Sequence, residues 1–248
     1  AETIYDVPLL MKKEKLDIRV LQKLRLEEKQ EPQLEDWKEF LGKLKNPTAE
    51  VNIGLVGKYV ELKDAYKSIA EAFIHAGAHN ECKVNLQWIH SEKLSDDNVY
   101  ETISTLDGIL VAPGFGERGF EGKIQAVRIA RENKIPFFGI CLGMQCSVVE
   151  FGRHVLELPE AASSEMNKHT PHPVIDMMEE QKKITQMGGT MRLGTYPCKL
   201  VAGSKAALAY GTLNIQERHR HRYEFNNAYL SRYQDLGMKA TGINPETN

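Results

Sequence analysis

Residues 135–150 read IPFFGICLGMQCSVVE. A proline-led apolar run ends in Gly-Ile-Cys-Leu-Gly, and the residues that follow suit a helix. A strand handing over at once to a helix is half of a βαβ unit and predicts an α/β chain built on a parallel sheet. Cys141 stands between Gly139 and Gly143. Gly-x-nucleophile-x-Gly is the pattern needed where a strand turns sharply into a helix and the backbone packs too closely for larger neighbours. Such a turn sets the sulfur at a helix N-terminus, where free N–H groups and the helix dipole favour thiolate over thiol. The N–H of Leu142 then points where an oxyanion would form. The expectation is a sulfur both exposed and ionised. A buried structural cysteine is the commoner fate of a lone Cys, and the spacing by itself leaves both readings standing. Cys146, five residues on and without a glycine frame, reads as core.

Working outward, VNIGLVGKYV (51–60) reads as a buried first strand, and KVNLQWIH (83–90) alternates as a half-covered one. DGILVAPG (107–114) is an all-apolar strand of the kind buried on both faces. Helical stretches at 64–77, 96–106 and 123–133 separate these strands from one another and from the strand at 135–140. Four strands joined by crossover helices predict a three-layer α/β fold: a mostly parallel central sheet flanked by helices, with ligands at the strands' C-terminal ends. The loop APGFGERGFEGK (112–123) ends the strand before the cysteine's strand. Its glycines at 114, 116, 119 and 122 let backbone approach a ligand. No Gly-Lys-Ser/Thr follows, so it is no P-loop; its position suits a second oxyanion donor.

Residues 1–47 differ from the rest. LDIRVLQKLRLEEKQ (16–30) is apolar at Leu16, Ile18, Leu21 and Leu24, and LEDWKEFLGKLKNP (34–47) places Leu34, Trp37, Leu41 and Leu44 on one helical face. This is a helical connector that must lean on something. Beyond residue 156 the alternation breaks down. KKITQMGGTMRLGTYPCKLV (182–201) suggests short strands and turns, NNAYLSRYQDLG (226–237) a late helix, and MKATGIN (238–244) the start of a strand.

Over 248 residues, 42% are hydrophobic and 27% charged, as in ordinary soluble domains, and a formal charge of −2 argues against nucleic-acid or membrane partners. Four irregularly spaced cysteines fit a reducing cytoplasm and neither a disulfide scaffold nor a metal site. No pair among the eight histidines comes with helix-spaced carboxylate or cysteine partners for a metal, and ERHRHRYE (217–224) reads as an exposed strand with a solvated basic edge.

PGFGERGFEG, GICLGMQ, GGTMRLG and ERHRHRYEFN together resemble the C-terminal glutaminase domain of the CTP synthase family, within the class I (triad) glutamine amidotransferases. GKYVELKDAYKSIAEA and ETIYDVPLL resemble the same family, so the likeness runs essentially end to end. It implies hydrolysis of glutamine to glutamate and ammonia, with residues 1–47 the linker from a synthetase domain and 48–248 the glutaminase domain. It also implies a nucleophilic Cys141 forming a γ-glutamyl thioester, an oxyanion held by Gly114 and Leu142, and a glutamine site continuing through Gly143, Met144 and Gln145. Glu165 matches a carboxylate for the substrate's α-amino group, and Arg222 a guanidinium beside its α-carboxylate. No metal or cofactor is implied in this domain. ATP, Mg²⁺ and UTP belong to the synthetase domain, GTP is the allosteric activator with Lys67 and Arg192 as candidates for its region, and the full-length protein is a homotetramer. The family completes its triad with a His-Pro-Glu segment downstream of the part matching MKATGIN. The expectation is therefore a domain cut short and impaired as an isolated chain. The alternative is a non-catalytic regulatory or assembly module of the same fold.

Overall fold

The computed structural model describes residues 1–27, 31–177 and 192–246, which fall into two compact units. The first comprises Ala1–Ile53 and Leu62–Gln87. It holds α1 (Val7–Lys13), α2 (Leu16–Leu24), α3 (Glu35–Lys45), the opening of β1 (Ala49–Gly57), α4 (Lys67–His79) and most of β2 (Cys82–His90). Pro8 stands in the first turn of α1, where its missing N–H costs no hydrogen bond. α3 carries Glu35 and Asp36 in its first turn and Lys43 and Lys45 in its last, each complementing the nearby end of the helix dipole. The predicted face is real: Leu41 is buried, and Leu34, Trp37 and Leu44 are half-buried. What the connector leans on is α4. Tyr5, Trp37, Phe40 and His75 form an edge-to-face cluster with ring centroids 5.2–5.9 Å apart. Trp37 Nε1 donates to the Tyr5 carbonyl at 2.8 Å, and the Tyr5 hydroxyl donates to Glu71 at 2.5 Å.

The second unit comprises Gly54–Glu61 and Trp88–Asn248. Here the ends of β1 and β2 join β3 (Gly108–Val111) and β4 (Phe137–Gly139) in a sheet of order β2-β1-β3-β4. β3 and β4 run parallel, with Val111 opposite Gly139. The mostly parallel, helix-flanked sheet expected from the sequence is the sheet observed. α5 (Val99–Ile103), α6 (Phe120–Glu132) and α7 (Leu142–His154) supply its helices. The core gathers Val56, Ile103, Val111, Ala126, Cys146 and Val149, each at 0% exposure. Burying a side chain of that size contributes about 1.5–3 kcal/mol.

β5 (Ala161–Ser163), β6 (His172–Met177) and β9 (Tyr223–Phe225) make a second sheet, in which β5 and β6 are parallel and β6 and β9 antiparallel. β7 (Arg192–Leu200), β8 (Asn214–His221) and β10 (Gly242–Ile243) make a third. β7 is one nine-residue strand where the sequence predicts short strands and turns. Pro197 misleads the reading, yet β10 pairs only with Leu200 and Lys199. Pro197 therefore has a ladder on one side only, a position proline tolerates. α8 (Lys205–Tyr210) and the expected late helix, α9 (Leu230–Asp235), complete the unit. α9 is pinned by Tyr233, 1% exposed, whose hydroxyl donates to the Val148 carbonyl at 2.7 Å. Most of GGTMRLG lies outside the described residues. Among the described residues no helix is long and apolar enough to cross a membrane.

Candidate active site

The two glycines around Cys141 are fixed by space. A Cβ on Gly139 would lie 2.5 Å from the Gly143 carbonyl carbon, and one on Gly143 would lie 2.1 Å from the Val111 carbonyl oxygen. The first turn of α7 is thus pressed against the ends of β3 and β4. Between the glycines, Cys141 is the N-cap of α7 at φ 53°, ψ −108°, a conformation costly for a residue with a side chain.

Cys141 opens onto a cavity of about 300 Å³ lined by Gly114, Phe115, Gln145, Glu165, Arg222 and Tyr223, with Arg220 and His221 completing the wall. Gly114 comes from the loop after β3, Gln145 from α7, Glu165 from the turn after β5, and the basic residues from the passage of β8 into β9. Gln145 Nε2 donates to the Tyr223 carbonyl at 3.0 Å. The Gly116 N–H points at Glu165 Oε1 at 3.4 Å, linking loop and carboxylate. A carboxylate and a guanidinium facing one sulfur across a small cavity suit an α-amino acid with a reactive side chain.

The protonation state differs from the expectation. Burial pushes the Cys141 thiol above the usual thiol range. The Leu142 N–H directed at the sulfur and the Lys123 ammonium pull it down, and Glu165 pushes it further up. Burial is the largest of these effects, so the free site holds a thiol, not a standing thiolate. Alkylation of Cys141 by iodoacetamide should therefore keep accelerating above about pH 8.5, where an ordinary cysteine is half ionised. A rate that levels off below pH 7 would contradict this.

Of the other sequence-predicted residues, Leu142 is buried at the start of α7, and Gly143 packs its backbone on Val111. Met144 is 39% exposed and does not line the cavity, whereas Gln145 beside it is 4% exposed and does. Lys67 belongs to the first unit, where it pairs with Glu71 at 2.8 Å. Arg192 opens β7 opposite His221. Cys146 is fully buried, its thiol pushed up to about 12 by burial, as a core cysteine should be. Among the described residues no group of three or more His, Cys, Asp or Glu could hold a metal.

Sequence reasoning missed Phe115, Arg220, His221 and Tyr223 on the cavity wall. It also missed two cations behind the loop: Lys58, which donates to the Phe115 carbonyl, and Lys123, which donates to the Ala112 carbonyl at 2.8 Å. ERHRHRYE does alternate along β8, but its last turns leave the exposed edge and enter the site.

A cysteine at a tight strand-to-helix turn on a parallel sheet, facing a cavity with a carboxylate and a guanidinium in its wall, is the arrangement expected of a class I glutamine amidotransferase. The family described as "Glutamine amidotransferase class-I" matches residues 61–247, and the chain belongs to it. Within that class the similarity is to CTP synthases. The chain is 71% identical over 247 residues to the CTP synthase of Cytophaga hutchinsonii and 60% identical over 247 residues to that of Flavobacterium johnsoniae. Each match covers 100% of this chain and 46% of the relative, so the chain spans just under half the length of these proteins. The solved glutaminase domain of Trypanosoma brucei CTPS, with bound acivicin, superposes with a TM-score of 0.74 at 35% identity, covering 79% of this chain and 76% of that one. The resemblance read from GICLGMQ and its companion stretches is borne out.

Proposed function

We propose that this chain is the glutamine-hydrolysing part of a CTP-forming enzyme. The cavity that brings Cys141, Gly114, Glu165 and Arg222 together is the observation that carries the reading. Glutamine enters with its α-amino group toward Glu165 and its α-carboxylate toward Arg222, which delivers the side-chain amide to the sulfur. The Cys141 sulfur attacks the amide carbon, and the N–H groups of Leu142 and the Gly114 loop receive the oxyanion. The C–N bond then breaks, ammonia leaves, and water hydrolyses the γ-glutamyl thioester to glutamate. A thiol above its ordinary range requires a base during attack and an acid at the departing nitrogen. The family pattern gives that work to a histidine and glutamate in a segment following the part that matches MKATGIN.

The family resemblance implies the rest of the reading. The ammonia would aminate UTP to CTP in a synthetase domain that uses ATP and Mg²⁺, with residues 1–47 as the link. GTP would activate through a region including Lys67 and Arg192, and the full-length protein would be a homotetramer.

A diazo-ketone glutamine analogue tests the reading. It should alkylate Cys141 and leave Cys82, Cys146 and Cys198 unmodified, with free glutamine protecting. Labelling elsewhere with Cys141 untouched would overturn the assignment. Labelling without ammonia release, even from the whole polypeptide with GTP present, would leave a glutamine-binding module.

A further inference from the structure

Lys123 is 0% exposed and Lys58 9% exposed, whereas the other lysines among the described residues stay near solvent. Burying an ammonium is costly unless it meets a partner, so two such lysines together call for a physical reason. Among the described residues neither has a carboxylate as its hydrogen-bond acceptor. Lys123, on α6, donates to the Ala112 carbonyl at 2.8 Å, and Lys58, just past β1, donates to the Phe115 carbonyl while its ammonium lies 5.1 Å from the Tyr59 ring centroid. The two grip the same five residues, Ala112 to Gly116, near their two ends. Between the grips stands Gly114: from a Cβ position built on it, Lys123 Nζ and Lys58 Cε are each 3.7 Å away and Leu142 Cδ2 is 3.6 Å away.

We propose that Lys58 and Lys123 are positioning residues of the Cys141 site, two buried cations that hold the Ala112–Gly116 loop by the carbonyls on either side of Gly114 and so fix Gly114 beside the reacting centre. The Ala112 carbonyl belongs to the peptide shared with Pro113, which has no N–H, and the Phe115 carbonyl to the peptide shared with Gly116, whose N–H faces Glu165, so the two grips act by fixing the backbone on either side of Gly114, which lines the cavity. Lys123 has a second effect through its charge, because Cys141 and Cys146 are the negative-going groups that face it and Lys58 is the cation beside it. Cys141 in turn faces Lys123, Glu165 and the Leu142 N–H. Lys123 thus opposes the burial and the carboxylate that disfavour a thiolate. This inference rests on the glutaminase reading for its purpose, while its test separates the two.

Two reagents distinguish the effects. Iodoacetamide reads the thiolate without a carbonyl oxygen to stabilise, and the diazo-ketone glutamine analogue needs the assembled site. K123M removes the charge at similar volume while leaving the buried Ala112 carbonyl without its lysine donor. In the 248-residue chain it should move the iodoacetamide pH profile to higher pH by about one unit, a tenfold slower reaction at pH 7. K58M should leave that profile in place but slow the maximal rate of diazo-ketone inactivation about tenfold, with the half-saturating concentration little changed. K58R, which restores a donor to the Phe115 carbonyl, should regain most of the lost rate, and it carries the test should K58M fail to fold. The proposal is overturned if K123M and K58M give profiles and rates that superimpose on the parent chain, or if K58R is as slow as a folded K58M. A parent chain that never reacts with the diazo-ketone would sink the glutaminase reading alone, leaving the iodoacetamide profile of K123M to decide the role of Lys123.

Discussion

Replacing Gly143 with alanine should cost about 1–3 kcal/mol of stability and slow diazo-ketone labelling of Cys141 about a hundredfold. The added Cβ would stand 2.1 Å from the Val111 carbonyl oxygen and 2.9 Å from its carbon. Both are backbone atoms of a strand at the centre of the sheet, so no side chain can swing aside. α7 must move instead, carrying the Cys141 sulfur and the Leu142 N–H away from the Gly114 loop. A shift near 1 Å is enough to spoil an attack geometry. Gly42 provides the contrast, because a Cβ there meets nothing within 4 Å in the middle of α3. Gly42→Ala should stabilise by about 1 kcal/mol through helix propensity, with labelling unchanged. Denaturant titration and labelling rates on the three chains decide the matter. A Gly143→Ala chain that labels at the parent rate would show that the tight turn is structural only.

The same turn marks the boundary of what the sequence makes legible. Gly139 and Gly143 announce themselves because their function is the absence of a side chain, and absence is visible in one letter. The four strands and their parallel sheet follow from apolar runs separated by helices, which is local patterning, whereas the order of the strands is read only from the structure. Glu165 and Arg222 are different. They lie 24 and 81 positions from Cys141, and only the resemblance to amidotransferases singles them out before the fold brings them to one cavity. Lys58 and Lys123 are less legible still. In VGKYV and FEGK no local pattern marks either lysine, and their burial is decided by how α6 and the end of β1 pack, a tertiary fact. The charge of Cys141 illustrates the limit most plainly. The helix N-terminus pulls toward thiolate, as local reasoning expects, but burial pulls harder and is not written in any neighbouring letter. Met144 and Gln145 differ for a geometric reason: one residue along a helix is a turn of about 100°, so adjacent positions face solvent and cavity respectively.

Exchanging Cys141 itself should separate chemistry from folding. The residue holds φ 53° and ψ −108° with a Cβ attached, a strain of roughly 1–3 kcal/mol that glycine would largely relieve. Cys141→Gly should therefore unfold at higher denaturant than the parent, by about 1 kcal/mol after allowing for glycine's greater freedom in the unfolded chain, while losing all labelling. Cys141→Ser keeps the strain and nearly the shape but replaces the sulfur with a hydroxyl that does not ionise near neutral pH. Ammonia release from glutamine by the whole polypeptide should fall by about a thousandfold or more. Glutamine should still raise the melting temperature of the serine chain, as the proposed binding between Glu165 and Arg222 requires. Strain retained at a position where glycine would fold better has its simplest explanation in the proposed chemistry: a less stable turn keeps the sulfur on the cavity beside the Leu142 N–H. A glycine variant less stable than the parent would remove that explanation, and a serine variant with a tenth of parental turnover would move the nucleophile elsewhere.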